Sequence, residues 1–345
     1  MKRMGILLLT AFSLFSCGDR YTPDVSGIRI DLPVKRFEQD FFAIDTTRLA
    51  ASLQQLHQQY PGFLADFTQN ILGLPPTGDS AQVLELVRQF IRDYRPVKDS
   101  ADKVFRNFEP HAKAVRQGLQ FVKYYFPAYK LPGQLITFVG PMDAYYAATI
   151  GGYGDVITHD GLAVGLQLHL GSEFSMYHSE MGQSLYPGYI SRRFTPDYIA
   201  VNCMKNVIDD LFPEKGIEKP LVEQMVEKGK RVYLLEKFLP YTPDSLRMGY
   251  TSKQLQACYK NEGRIWNFFL VNSLLLNTDY GVIKEYVNDA PNTPTISEQA
   301  PGFIGLFVGR QIVKKFLEKH PDMGLPELMN TDPRKIFEES KYKPG

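Results

Sequence analysis

Between residues 49 and 126 the apolar positions recur every three or four residues. Leu49, Leu53, Leu56 and Tyr60 fall on one helical stripe, and Val83, Leu86, Val87, Phe90 and Ile91 on another. A third helix is predicted over residues 110–126, with Ala114, Leu119, Val122 and Tyr125 among its apolar positions. Pro127, Pro132 and Gly133 break that pattern. Ahead of these helices, residues 28–42 read as extended, with Val34, Phe37, Phe41 and Phe42 available to a core.

The middle of the chain changes period. Residues 134–139, Gln-Leu-Ile-Thr-Phe-Val, are β-branched and aromatic and predict a strand. Asp160-Gly161 suits a hairpin turn between strands at 155–158 and 162–170. Gly151-Gly152-Tyr153-Gly154 contains a G-x-G, but no third glycine opens a helix after it, so it reads as a turn rather than a nucleotide loop.

Helices then return. Thr195 is placed to cap a helix that Pro196 begins and Pro213 stops. Pro220 opens another, with Val222, Met225, Val226, Gly229, Val232 and Tyr233 on its apolar stripe. Thr251 and Gln254 form a capping-box pattern before a helical region running through Leu276. In residues 302–319 the row Gly305, Gly309, Val313 and Leu317 lies beside the row Ile304, Val308, Ile312 and Phe316. The two glycines there permit a close helix crossing. The fold class is therefore α+β: a mainly helical single domain, residues 31–340, around a small, mostly antiparallel sheet.

The N-terminus carries a different signal. Lys2 and Arg3 precede twelve uncharged residues, too few to span a bilayer but suited to a signal peptide. Leu14-Phe15-Ser16-Cys17 resembles a bacterial lipobox. The expected organisation is a signal peptide over 1–16, lipidation at Cys17, and a tether over 17–30. Membrane attachment would then come from the acyl chains alone.

Charge excludes some partners. The precursor has 39 basic and 38 acidic residues, and removing Lys2 and Arg3 reverses the balance to −1. A chain so evenly charged, with no basic block, is not built to coat nucleic acid. Besides Cys17 there are only Cys203 and Cys258. They could pair in an oxidising compartment, but their apolar helical settings favour two buried thiols.

The catalytic motifs sought are missing. There is no phosphate-binding G-x-x-x-x-G-K-[ST] and no G-x-S-x-G. His159, His169 and His178, near Asp155, Asp160, Glu173 and Glu180, offer zinc-type donors. Their spacings of ten and nine match no compact ligand pattern, and the favoured reading is solvated or hydrogen-bonded histidines with no metal or other cofactor. The helix after Thr195 carries Asn202-Cys203-Met204-Lys205-Asn206 where a zinc protease would place H-E-x-x-H. Neutral amides are poor zinc ligands. Arg192-Arg193 could clamp a carboxylate or phosphate on a partner, or simply pair with neighbouring acids. Glu262 and Trp266 share a helical face, which suits packing of the indole.

Several ordered segments resemble the gliding-motility lipoprotein GldB family of Bacteroidota. They include residues 34–42 (Val-Lys-Arg-Phe-Glu-Gln-Asp-Phe-Phe), Tyr124-Tyr125-Phe126-Pro127, and residues 164–171 ending in Leu-Gly. Residues 186–194 (Tyr-Pro-Gly-Tyr-Ile-Ser-Arg-Arg-Phe), 229–233, Gly249-Tyr250-Thr251, Gln254, Cys258, Asn261-Glu262 and Trp266 follow, then Pro301-Gly302-Phe303-Ile304-Gly305 with Val308-Gly309. The resemblance implies an envelope lipoprotein associated with gliding motility and type IX secretion, with a domain similar to a zinc-metallopeptidase scaffold that has lost its ligands. It supplies no catalytic residues. The function expected is support of an envelope machine through protein–protein contacts, with the domain in the periplasm. The alternative is an envelope hydrolase, a divergent metallopeptidase or one using the three histidines.

Overall fold

The computed structural model describes residues 22–76, 80–150, 154–214 and 218–344. The segment expected to be a signal peptide, Cys17, and Gly151 to Tyr153 of the segment expected to form a turn lie outside the described residues.

Apolar periodicity becomes helix largely where the sequence places it. Glu109–Tyr125 and Ile304–Lys319 correspond to two predicted helices, and Leu221–Phe238 follows Pro220. Local chemistry sets several starts. Ser80 caps Ala81–Asp93 by accepting from the Val83 amide at 3.2 Å. The Thr251/Gln254 capping box is formed. Thr195 departs from expectation: its side chain makes no cap bond, and Pro196–Tyr198 is a 3-10 turn leading into the helix Ile199–Leu211. The helical region after Thr251 is also broken, into Ser252–Lys260 and Glu262–Val271, with Asn261 between them outside helical geometry.

The segment read as extended over 28–42 yields only a short strand, β1 (Val34–Arg36), before the helix Phe37–Phe42. The physical reason is the spacing of its phenylalanines. Phe37 and Phe41, both fully buried, stack at 5.3 Å one helical turn apart, whereas a strand would hold them about 13 Å apart. Phe63, Phe67 and Phe138 extend this aromatic core. Phe67 is delivered by a π-helical turn over Asp66–Ile71.

β2 (Leu135–Phe138), β3 (Asp155–Ile157) and β4 (Leu162–Gly165) complete the larger sheet, in the order β1-β2-β4-β3. The hairpin β3–β4 is antiparallel as expected, but β1–β2 and β2–β4 are parallel. The sheet is mixed, which corrects the expectation of a mostly antiparallel one. Long connections make this possible: a helical stretch of about a hundred residues separates β1 from β2 in the chain. As central parallel strands, β2 and β4 are buried at every residue. β4 stops at Gly165, and Leu166–Leu168 is a 3-10 turn rather than more strand. A second hairpin, β5 (Asn292–Thr293) with β6 (Ser297–Pro301), is antiparallel.

The Ile199 helix packs along β3 and β4 and links the sheet to the helical half. There, the Leu221 and Ile304 helices cross at Gly229 and Gly309. A Cβ on Gly309 would stand 1.6 Å from the Met225 carbonyl oxygen, and one on Gly229 would stand 2.2 Å from the Gly309 carbonyl carbon. Only glycine lets the backbones meet, as the four-residue glycine spacing implied. The helix Pro333–Ser340 covers both. The buried apolar residues form one contiguous core, so the chain is a mainly helical α+β single domain.

Three positions fix where the chain enters this domain. Val25 is buried. The Gln120 side chain donates to the Ile28 carbonyl at 2.7 Å, and Arg116 reaches the Leu32 carbonyl at 3.4 Å. Among the described residues no helix is long and apolar enough to cross a membrane.

Candidate functional site

A cleft of about 210 Å³ opens where the Ile199 and Leu221 helices meet the start of the Ile304 helix. Its apolar floor includes Ile208, Val232, Leu235, Met248, Phe303 and Leu306. Its rim is charged, with Arg193, Lys205, Lys228, Arg231 and Arg247 against Asp209, Glu214 and Asp289.

The rim is pre-organised by pairing. Arg231 bridges Asp209 and the Phe212 carbonyl, while Lys228 pairs with Glu214. Arg193 pairs with Asp289, and Arg247 donates to Asp244 and, at 2.8 Å, to the Leu239 carbonyl. These bonds hold the cationic heads in place, so an incoming carboxylate meets groups whose positions are already set.

Phe303, on the cleft floor, has φ 60° and ψ 33°, the left-handed region that a bulky side chain rarely adopts. Its carbonyl accepts from the Tyr250 hydroxyl at 2.9 Å. Gly302 beside it lies so close to Ala290 that a Cβ would stand 1.9 Å from that carbonyl oxygen. The neighbours therefore enforce the strained turn, and strain held this way is characteristic of binding surfaces.

The arginine pair identified in the sequence divides its work. Arg192 is half-buried and donates to the carbonyls of Tyr189, at 3.1 Å, and Gly249, at 2.8 Å. Burial, reinforced by the adjacent Arg193, pulls its pKa below the usual arginine value. Arg192 therefore braces the loop, and only Arg193 reaches the cleft. Its partner Asp289, the cations of the Leu221 helix and strained Phe303 were not singled out from the sequence, because their convergence depends on the helix crossing.

The three histidines do not come together. His159 is exposed beside Asp66, and His178 is exposed and bonded to the Ser172 carbonyl at 2.9 Å. His169 is fully buried, its Nε2 3.0 Å from each Asp155 carboxylate oxygen and its Nδ1 3.1 Å from the Thr195 carbonyl. Asp155 also accepts from the Gly165 amide at 3.1 Å. The pair pins β3 and β4 to the turn before the Ile199 helix. Among the described residues, no group of three or more His, Cys, Asp or Glu could hold a metal ion.

Of the two amides at the metalloprotease-like spacing, Asn206 has a structural use. Asn206 donates to the carbonyls of Asp155 and Asn202, both at 3.0 Å, stitching its helix to β3. Glu262 accepts from Gln311 and from the Tyr342 hydroxyl at 2.7 Å, while Trp266 packs on Tyr342 with ring centroids 4.9 Å apart.

Cys203 and Cys258 are free and buried. Burial pushes the Cys258 thiol up to about 12, and that of Cys203 far above its usual value. At pH 8 neither supplies thiolate. Ellman's reagent is expected to find no thiol in the native domain and both after unfolding in urea without reductant. A chain that released neither thiol would instead contain a disulfide.

No curated protein and no solved structure matches the chain. A family model, described as gliding motility protein GldB, matches residues 18–344. That match covers nearly the full length, including both the sheet and the cleft, and the chain belongs to the GldB gliding motility family.

Proposed function

We propose that this protein is a non-catalytic lipoprotein, anchored through Cys17, that serves a gliding or type IX secretion machine through contacts of its periplasmic domain. The observation that carries the reading is the cleft, in which paired cations surround an apolar floor with an enforced, strained turn at its edge. A peptide segment that pairs an acidic residue with an apolar anchor suits both features. The apolar group would bury on Phe303 and Leu306, and the carboxylate would exchange onto the rim. Among the described residues, the buried carboxylate–imidazole pair, Asp155 and His169, is fully enclosed. Family membership supports the motility assignment.

Affinity capture of the full lipoprotein from its native envelope tests this reading, with metal analysis of the same preparation. Motility or secretion components are expected in the captured material, and metal below stoichiometric amounts. Reversing a rim charge, Lys228→Glu, is expected to lower recovery of those components about tenfold, while shifting Tm by only a few degrees. Capture that recovers no envelope component, or recovery indifferent to Lys228→Glu, would count against the cleft. Stoichiometric zinc would favour an enzyme.

A further inference from the structure

The path of the chain into the domain defines a second surface. Leu32 is held at Arg116 and Ile28 at Gln120, so the strap runs antiparallel to the helix Glu109–Tyr125, and traced back from Leu32 to Ile28 it approaches that helix's C-terminal half. The Ile28 amide donates to the Val25 carbonyl at 2.9 Å, closing a turn that keeps Val25 beside Ile28. Arg116, Gln120 and Tyr124 are four residues apart and form one stripe. The first two hold the strap. The third, one helical turn beyond the residue that holds Ile28, is a tyrosine left 49% exposed.

Other aromatic groups surround it. Tyr125 packs edge-on against Tyr124 at 5.0 Å. Tyr241, 68% exposed, lies over Phe121 with ring centroids 6.2 Å apart. Lys237 sits 5.2 Å above the Tyr233 ring, and Lys123 occupies the last turn of the Glu109 helix. Tyrosine with an apolar body and a wet hydroxyl, flanked by lysines, is the composition favoured at a membrane–water boundary.

Chain length then selects the occupant. Seven residues lie between Cys17 and Val25, eight steps along the chain, a reach of about 28 Å even when fully extended. A domain of this size is about 50 Å across. Once Cys17 is lipidated, the strap stays within that reach, so the side of the domain opposite it cannot be the one that faces the bilayer. We propose that the face formed by Tyr124, Tyr125 and Tyr241 rests in the headgroup layer of the membrane that holds the anchor. The cleft, midway along the Leu221–Phe238 helix, is thereby presented at a fixed height above the lipid. The strap carries Asp24 and Asp31 as well as Arg29, so the contact is aromatic rather than electrostatic and should persist in high salt.

This inference rests on Cys17 lipidation, and the test separates the two. The full lipoprotein is reconstituted into phosphatidylcholine vesicles containing a brominated phosphatidylcholine. Single-tryptophan versions carry Trp266→Phe with Tyr124→Trp, Tyr241→Trp or Leu276→Trp. Leu276 is 65% exposed and lies beside the opposite end of the Leu221 helix, whose Val222 amide bonds to the Leu275 carbonyl. Emission is expected to fall about twofold at positions 124 and 241 and to stay unchanged at 276. The unsubstituted lipoprotein gives a second readout: amine labelling of Lys123 and Lys237 should be slower in vesicles than in detergent, with Lys253 unaffected. Protein that floats with vesicles but shows neither effect retains its anchor and refutes the resting face. Wild-type protein that fails to float, as Cys17→Ser should, refutes the anchor and the face with it.

Discussion

Replacing Arg310 with methionine is expected to destabilise the domain by about 3–5 kcal/mol, the range for breaking a buried ion pair from one side. Arg310 is 1% exposed in the middle of the Ile304 helix. Its guanidinium donates to Glu236 on the Leu221 helix, to Asp244 at the start of the short helix Asp244–Met248, and to the Tyr259 hydroxyl on the Ser252 helix. One cation thus ties four helices together. Methionine fills similar volume but leaves Glu236, which is 13% exposed, with Lys314 at 3.7 Å as its remaining cation. The cost therefore comes from stranded acceptors rather than from a cavity. Urea unfolding measures it as a lower midpoint with an unchanged slope. Adding Glu236→Leu should recover part of the loss, and a double-mutant cycle reports the coupling. A loss below about 1 kcal/mol would mean that the network is an incidental surface arrangement.

Gly309→Ala is the second large effect, and its sign is diagnostic. In an ordinary helix interior this change stabilises by about 1 kcal/mol, because alanine loses less backbone entropy than glycine. Here the new methyl group would stand 1.6 Å from the Met225 carbonyl oxygen, and backbone cannot yield as a side-chain tip can. The helices must separate, exposing or loosening the packing of Met225, Val226, Phe307 and Val308, all buried. A net destabilisation of about 3 kcal/mol is expected, at the upper end for overpacking. Because total stability is commonly about 5–15 kcal/mol, Tm should fall by several degrees or more. Thermal and urea unfolding both read it. A variant as stable as the parent, or more so, would show that the crossing is looser than the geometry requires. Gly229→Ala provides the reciprocal test, since it enters the same contact from the other helix.

These two positions differ in how far sequence could foresee them. The glycine spacing in residues 302–319 implied a close crossing, because a missing Cβ every fourth residue has few other uses on a helix face. Which helix would lie against it was not legible. Nor was the role of Arg310, which on a helical wheel is one cation beside Lys314. Its significance comes from Glu236 and Asp244, far away in the chain.

The candidate site divides the same way. Arg193 stood out as half of a pair, whereas Asp289 and Lys228 are ordinary charged residues until folding sets them around Phe303. The histidine cluster was suggested by sequence proximity. It dissolved because a hairpin and a 3-10 turn send His159, His169 and His178 in different directions.

By itself the sequence determined the balance of helix and strand, the β3–β4 hairpin, the capping box at Thr251, the buried character of the two thiols' surroundings and the family. These are local signals: side-chain period, turn chemistry and caps act over a few residues, so they are written in consecutive positions. Only the tertiary structure decided that β1, β2 and β4 run parallel, that residues 37–42 coil to bury their phenylalanines, that the rim charges converge, and that the chain enters along the Glu109 helix at Arg116 and Gln120. Each of those depends on groups distant in sequence, whose meeting is fixed by how the whole chain buries its apolar surface. That burial is non-directional and cooperative, so it leaves no mark on any single segment.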